Sequence, residues 1–210
     1  MGLQKRAERK EKEKETRRQE ILLAATTVFR KNGFVKTTMD LVADESALAV
    51  GTLYRYYKSK EELFVALVMN AVILMNDKIK EIAQIEDTPE KKLHTVWNFF
   101  YKFYKENPMY YRTLLFLHDP SFAGAFSGQM YEDLKRFSGI SFSNFSRITK
   151  ECIDSSVLPE GQPREVADFI WSTFVGLVNL TETRKNFDMQ NSDLKKLHRS
   201  ALIWILNQQK

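Results

Sequence analysis

From Ile21 onward the apolar residues recur at helical spacing. No stretch alternates apolar and polar residues between paired turn signals, so the pattern predicts helices and no strands. Residues 5–20 are a charge-dense tract without an apolar face. Its Glu8–Lys12 and Glu13–Arg17 pairs have the order that favours a helix. The tract is expected to be a frayed, solvated extension of the first helix, adding at most a non-specific, salt-dependent attraction to polyanions. Ile21, Leu22, Ala25, Val28 and Phe29 then share one face. Gly33 is expected to stop that helix in a left-handed conformation. Thr37 or Thr38 opens a second helix ending near Glu45, and Thr37 with Asp40 three residues on resembles a capping box with Asp in place of Glu. A short link, Ser46-Ala47-Leu48, leads to a compact helix expected from Ala49 to Tyr56. Ser59 reads as the cap of a long helix, with Glu61 and Glu62 in its first turn and Leu63, Phe64, Leu67, Val68, Ala71, Leu74 and Met75 on its apolar side.

Thr88-Pro89-Glu90 predicts the start of a further helix, apolar on most sides, over about 89–106. Asn107-Pro108 ends it. A shorter helix is expected over about 109–117, a break at His118-Asp119-Pro120, and helices over about 129–154, 163–185 and 192–208. The last of these is expected to be capped by Asn191 or Ser192. The fold class is therefore all-α. Its organisation is a charged extension (1–18), a three-helix domain (19–65) and a second helical domain (66–210).

Two short helices joined by a link of about three residues have the spacing of a helix-turn-helix, whose second helix enters the DNA major groove. Spacing alone is a weak signal; the residues sharpen it. Gly51 lets the backbone approach a phosphate or base edge, and Thr52 can hydrogen-bond either. The Tyr54 hydroxyl can reach a phosphate, and Arg55 suits a bidentate contact to guanine. Tyr56, Lys58 and Lys60 suit the backbone. Thr38, at a helix start, suits both a cap and a phosphate. Leu53 and Tyr57 are expected to pack inward.

The run IL-x-AA-x-x-x-F-x-x-x-G-F-x-x-TT-x-x-x-VA from Ile21 to Ala43, followed by GTLYRYYKSKEEL from Gly51 to Leu63, resembles the TetR family of bacterial transcriptional repressors. The resemblance implies that Thr38, Thr52, Tyr54, Tyr56 and Lys60 contact DNA. It further implies a helical ligand-binding and dimerisation domain after them. Three positions depart from the family pattern. Ala47 stands where the turn usually has Gly, Ala49 where Ser or Thr usually caps the reading helix, and Val50 where Lys is common. The lost cap is expected to cost about 1 kcal/mol. With Val50 able to meet a thymine methyl, the DNA preference is expected to be altered.

In the second domain Trp97, Phe100, Phe103, Tyr104, Tyr111, Phe116, Phe145, Trp171 and Phe174 are the candidates for lining a pocket that takes a small apolar or aromatic effector. Val166, Ile170, Thr173 and Leu177 on the penultimate helix, with Leu194, Leu197, Ala201, Trp204 and Ile205 on the last, are the candidates for a homodimer interface. A dimer would hold two reading helices about 34–36 Å apart on a near-palindromic operator.

Charge and composition narrow the alternatives. The 210 residues carry a net charge of +5. Of this, residues 1–70, with 14 basic and 10 acidic side chains, hold +4, which directs attention to that end for a polyanion. One cysteine excludes an internal disulfide and a thiolate-rich metal cage. A reducing, cytoplasmic setting fits. The N-terminal run has no apolar segment of a signal peptide, and the longest apolar stretch, Leu63 to Met75, is too short to span a bilayer. There is no phosphate-cradling glycine loop and no nucleophile elbow. His94, His118 and His198 are scattered, and Cys152 has no neighbouring histidine, so neither an enzyme nor a cofactor or metal site is expected. A helical protein-interaction adaptor is the alternative, and salt-dependent, sequence-selective DNA binding separates the two.

Overall fold

The structure, a computed structural model, describes residues 2–108, 110–111, 129–187 and 193–207. Among the described residues there are eight helices and no strand. They are α1 (Gly2–Lys36), α2 (Met39–Glu45), α3 (Val50–Leu53), α4 (Lys60–Gln84), α5 (Pro89–Glu106), α6 (Gln129–Asp154), α7 (Pro163–Asn186) and α8 (Leu194–Leu206). The chain divides into two compact units, Met1–Ala71 with Met109–Tyr131, and Val72–Pro108 with Glu132–Lys210.

In the first unit α1 is wound as helix from Gly2 through the charged tract. The regular helix stops at Gly33, as expected. That residue takes φ 71 and ψ 173, a conformation essentially confined to glycine, and the chain kinks and winds one more turn to Lys36. The expected Thr37–Asp40 capping box does not form. Thr37 is buried, and its hydroxyl donates backward to the Gly33 carbonyl at 2.7 Å. Thr38 caps α2 instead, its Oγ1 accepting the Leu41 N–H at 3.3 Å. The unit's core joins the apolar face of α1 to Met39, Val42, Ala43 and Leu53, and to Leu63, Phe64 and Leu67 of α4. The Phe29, Phe34 and Phe64 rings meet with centroids 5.1–6.0 Å apart. Ser59 caps α4 as expected, accepting the Glu62 N–H at 3.2 Å, and the Glu62 carboxylate in turn accepts the Lys58 N–H at 2.6 Å.

The second unit is built on α5. Thr88 caps it, accepting the Lys91 N–H, and Pro89 opens its first turn. Trp97 is fully buried, and its indole N–H donates to the His198 carbonyl at 2.9 Å. The His198 Nε2 lies 2.9 Å from the Trp97 carbonyl. A carbonyl only accepts, so Nε2 carries a proton, and the two side chains clamp α5 to α8 reciprocally. Their rings stack at 4.8 Å and 14°. The Thr149 hydroxyl of α6 donates to the Pro163 carbonyl at 2.6 Å and so fixes the start of α7. The Cys152 thiol donates to the Pro89 carbonyl at 3.2 Å. Burial, reinforced by Glu151 and Glu90, pushes its pKa up to about 12, so it stays a protonated core group. Asp193, rather than Asn191 or Ser192, caps α8, accepting the Lys195 and Lys196 N–H groups at 2.9 and 3.4 Å. Asn191 and Ser192 lie outside the described residues, as do most of the expected 109–117 helix and the break at 118–120.

His198 predicts a pH dependence. Burial holds its pKa below the ordinary 6.5, against the opposing hydrogen bond to Trp97. The unfolded chain therefore takes up this proton first as pH falls. The stability due to the neutral ring is complete above pH 6.5 and is lost between 6.5 and the lowered folded value, with a slope of at most about 1.4 kcal/mol per pH unit. Thermal melts of wild type and His198→Gln between pH 5 and 7.5 check this. The wild type should lose stability on acidification more steeply than the variant, and equal slopes would refute it.

Candidate nucleic-acid interface

The turn between α2 and α3 has a defined geometry. The Leu48 N–H bonds to the Ala43 carbonyl at 2.9 Å and the Ala47 N–H to that of Asp44 at 3.1 Å. This is a Schellman motif, which wants glycine at the residue that turns left-handed. That residue is Ala47, at φ 53. Ala49 then caps α3 without any side-chain hydrogen bond. The two alanines thus carry the backbone costs that their departure from the family pattern implied. Ala47→Gly should stabilise the fold by about 0.5–1 kcal/mol, as relief of the left-handed strain outweighs the added freedom of the unfolded chain. Ala49→Ser should add about 1 kcal/mol by supplying the cap. Denaturant titrations measure both, and an unchanged midpoint for either would remove the corresponding argument.

The reading helix is shorter than the expected Ala49–Tyr56 span. α3 is one turn, Val50–Leu53. Tighter turns continue it, with Arg55 N–H bonded to the Thr52 carbonyl at 3.1 Å and Tyr56 N–H to that of Leu53 at 2.9 Å. With no cap at its start and a core residue every fourth position, the segment holds its shape by burying Leu53 and Tyr57, as expected of both. Burial pushes the Tyr57 phenol up to about 12; Arg18 opposes the shift, and Glu15 and Glu62 add to it. The other side is open. Gly51, Tyr54, Arg55 and Lys58 are exposed, as are Thr38 and Ala49, and Val50, Thr52 and Tyr56 are half-buried. Tyr54 leaves 49% of its surface to solvent, unusual for a ring that the fold could have buried. A Cβ added at Gly51 would meet nothing within 4 Å, so the chain's own packing does not require glycine there.

Lys60 is engaged within the chain. Its Nζ lies 3.2 Å from both the Phe34 and Val35 carbonyls and 4.8 Å over the Phe34 ring. It therefore holds the extra turn after the Gly33 kink. An ammonium has three donors, so one remains for a phosphate. Nothing local announces this contact, because its partners are 25 and 26 residues away. A salt bridge from Lys31 to Glu45 at 3.5 Å also ties α1 to α2.

The pocket candidates form a packed aromatic group in the second unit. The Phe100 ring meets Phe145 at 5.5 Å, Trp171 at 5.0 Å and Phe174 at 5.7 Å, and Phe174 meets Trp97 at 5.9 Å. Phe103 and Tyr104 are buried beside them in sequence, and the Tyr104 hydroxyl donates to the Glu182 carboxylate. Tyr111 is buried within the first unit, and Phe116 lies outside the described residues. The interface candidates divide. Ile170, Leu194 and Ile205 are buried, Val166, Thr173, Leu177, Leu197 and Ala201 are half-buried, and Trp204 is 74% exposed. An open groove of about 730 Å³ runs between α7 and α8, lined by Val166, Phe169, Ile170, Thr173, Ala201 and Trp204 among others. Phe169, 62% exposed, shares the apolar spacing of α7. Among the described residues no three potential metal ligands cluster, and no helix is long and apolar enough to cross a membrane.

Comparison with known proteins agrees with this geometry. Residues 21–67 match the sequence model of the bacterial regulatory proteins of the tetR family. An uncharacterized HTH-type transcriptional regulator, YfiR of Bacillus subtilis, is 49% identical over 51 residues, 24% of this chain and 25% of that protein. The HTH-type transcriptional repressor KstR of Mycobacterium tuberculosis is 32% identical over 93 residues, 44% of this chain and 42% of the repressor. The chain thus spans a quarter to about half the length of the curated relatives it matches. The crystal structure of the transcriptional regulator FadR from Bacillus subtilis, in complex with stearoyl-CoA, is similar in fold with a TM-score of 0.68. It covers 90% of this chain and 97% of that one at 21% identity. Residues 21–67 thus carry the sequence of the bacterial regulatory proteins of the tetR family, and nine-tenths of the chain shares the fold of a solved regulator.

Proposed function

We propose that the chain is a ligand-responsive transcriptional regulator, not a catalyst, that binds a near-palindromic DNA operator as a homodimer. The observation that carries the reading is the division of residues 50–60. Leu53 and Tyr57 are spent on the core, while Gly51, Tyr54, Arg55 and Lys58 stand exposed on one short, rigidly seated turn. Gly51, Thr52 and Arg55 face base edges, and Thr38, Tyr54, Tyr56, Lys58 and the remaining Lys60 donor take phosphates. Ala49 and Val50 present methyl groups where a polar cap and a lysine would otherwise stand, which favours thymine methyls at that end of the half-site. Residues 19–65 form the reading domain and 66–210 the effector and dimer domain.

The groove between α7 and α8, with Phe169 and Trp204 exposed along it, supports dimerisation through those helices. Gly176, where an added Cβ would meet nothing, allows close approach of a second backbone. Release by an effector follows if the ligand binds better to a subunit arrangement whose reading helices no longer match successive major grooves. The aromatic group around Phe100 supports an apolar or aromatic effector. A long-chain acyl-CoA is the first to try, since a regulator of similar fold was solved with stearoyl-CoA. The relatives' names as transcriptional regulators support a cytoplasmic protein working on DNA.

Selection of bound duplexes from a random pool, with and without stearoyl-CoA, tests the reading. Two half-sites with centres about 34–36 Å apart and lower recovery with the ligand are expected. Recovery of no preferred sequence at 150 mM salt would overturn it.

A further inference from the structure

Residues 4–17 of α1 pack on nothing, yet they are wound as helix. Residues 4–17 are exposed on every side. At 1.5 Å per residue, residues 2–17 reach about 24 Å, roughly seven base-pair rises of a DNA strand. Four ion pairs along the helix support it: Arg9–Glu13 at 2.8 Å, Lys14–Glu11 at 3.9 Å, Arg17–Glu20 at 2.6 Å and Arg18–Glu15 at 4.0 Å. Lys5, Arg6, Lys10 and Lys12 have no such partner among the described residues. Glu8 is the one acid of the tract outside those pairs, which leaves the distal segment with surplus positive charge.

The winding also sorts the charges, which the linear order hides. At about 100° per residue, Glu8, Glu11 and Glu15 fall within a sector of about 60°, while Lys5, Arg6, Arg9, Lys10 and Lys12 spread over an arc of about 160° on another side. Only Glu13 interrupts that arc, and it is paired with Arg9. The segment starts beside the reading turn. Arg18 and Glu15 both act electrostatically on Tyr57, which stands three residues after Tyr54 and next to Lys58.

We propose that residues 4–17 are a rigid helical arm that lies along the phosphate backbone of DNA flanking the operator half-site. The proposal rests on the DNA-binding reading above. An arm that is already helical loses less conformational freedom on binding than a disordered basic tail. A membrane surface fits poorly. Interfacial helices need an apolar face, and among residues 4–20 Ala7 is the one apolar side chain. Pairing with another helix lacks the apolar seam for the same reason.

The test is the salt dependence of operator affinity, measured with the full chain on the selected duplex. Wild type is compared with the quadruple variant Lys5→Gln, Arg6→Gln, Lys10→Gln and Lys12→Gln, which keeps the four ion pairs and uses a residue of good helix propensity. The slope of log affinity against log salt should become shallower by about three to four per arm, so that between 50 and 200 mM salt the wild type loses roughly a hundredfold more affinity per arm than the variant. On a duplex trimmed to the operator the two slopes should converge. The triple variant Lys5→Arg, Lys10→Arg and Lys12→Arg, which keeps the charge, should retain the wild-type slope, and circular dichroism should report the same helix content throughout. Equal slopes on the long duplex overturn the arm while leaving the regulator intact. Equal slopes on DNA together with arm-dependent binding to phosphatidylserine vesicles assign it to membranes and also overturn it. Failure of the wild type to select any duplex overturns the regulator and the arm together.

Discussion

Gly51→Glu should abolish operator binding, with a loss of at least about a hundredfold at 100 mM salt, while leaving the fold as stable as before or slightly more so. The two effects have opposite signs for separate reasons. Within the chain the new side chain meets nothing, since even its Cβ has no neighbour within 4 Å. It replaces glycine in the first turn of α3, where a carboxylate favours the helix dipole and the lost backbone freedom is recovered, worth together about 0.5–1 kcal/mol. Against DNA the same carboxylate stands where phosphates and base edges must approach, and a like charge there costs several kcal/mol. Fluorescence anisotropy on the selected duplex, paired with a thermal melt, reads both. Retained affinity would take Gly51 out of the interface. A lower melting temperature would mean that the glycine serves the fold after all.

Trp97→Ala should cost about 3–5 kcal/mol of stability, the range for deleting a large buried aromatic side chain. For a chain of this size that is a fall of about 6–20 °C in melting temperature. The indole is completely buried, stacks on His198, meets the edge of Phe174 and donates to the His198 carbonyl. Its removal opens a cavity and deletes the hydrogen bond that ties α5 to α8. Trp97→Phe separates the two terms. It refills most of the volume but lacks the indole donor, and about 0.5–1.5 kcal/mol should remain lost. A loss below 1 kcal/mol for the alanine variant would mean that the α5–α8 clamp is not what holds the second unit together.

Much of the protein was legible in its order of residues. Helical periodicity located most of the helices, because an apolar face must recur every three to four residues to reach a core. The start of α4 was marked by Ser59, that of α5 by Thr88 and Pro89, since caps act within one turn of the residue that supplies them. The turn at Ala47 was identified as one lacking glycine, and its φ of 53 bears that out. The inward side of the reading turn, Leu53 and Tyr57, was also legible from spacing.

What failed was choice between neighbouring groups with equal claims. Thr37 and Thr38 are both competent caps, and only the burial of Thr37, with its hydroxyl turned back to Gly33, selects Thr38. The contacts of Lys60 within the chain were not legible, because the carbonyls it satisfies come from the far end of α1. Trp97, a pocket candidate, and His198 are 101 residues apart, and nothing local pairs them.

Helix identity, the position of the reading turn and the side it presents were thus encoded locally, because hydrogen-bond period, capping and turn chemistry act over a few residues. Which donor meets which carbonyl, and which of two threonines caps α2, depended on segments brought together only by folding. Burial and long-range hydrogen bonds exist only once the chain has closed on itself.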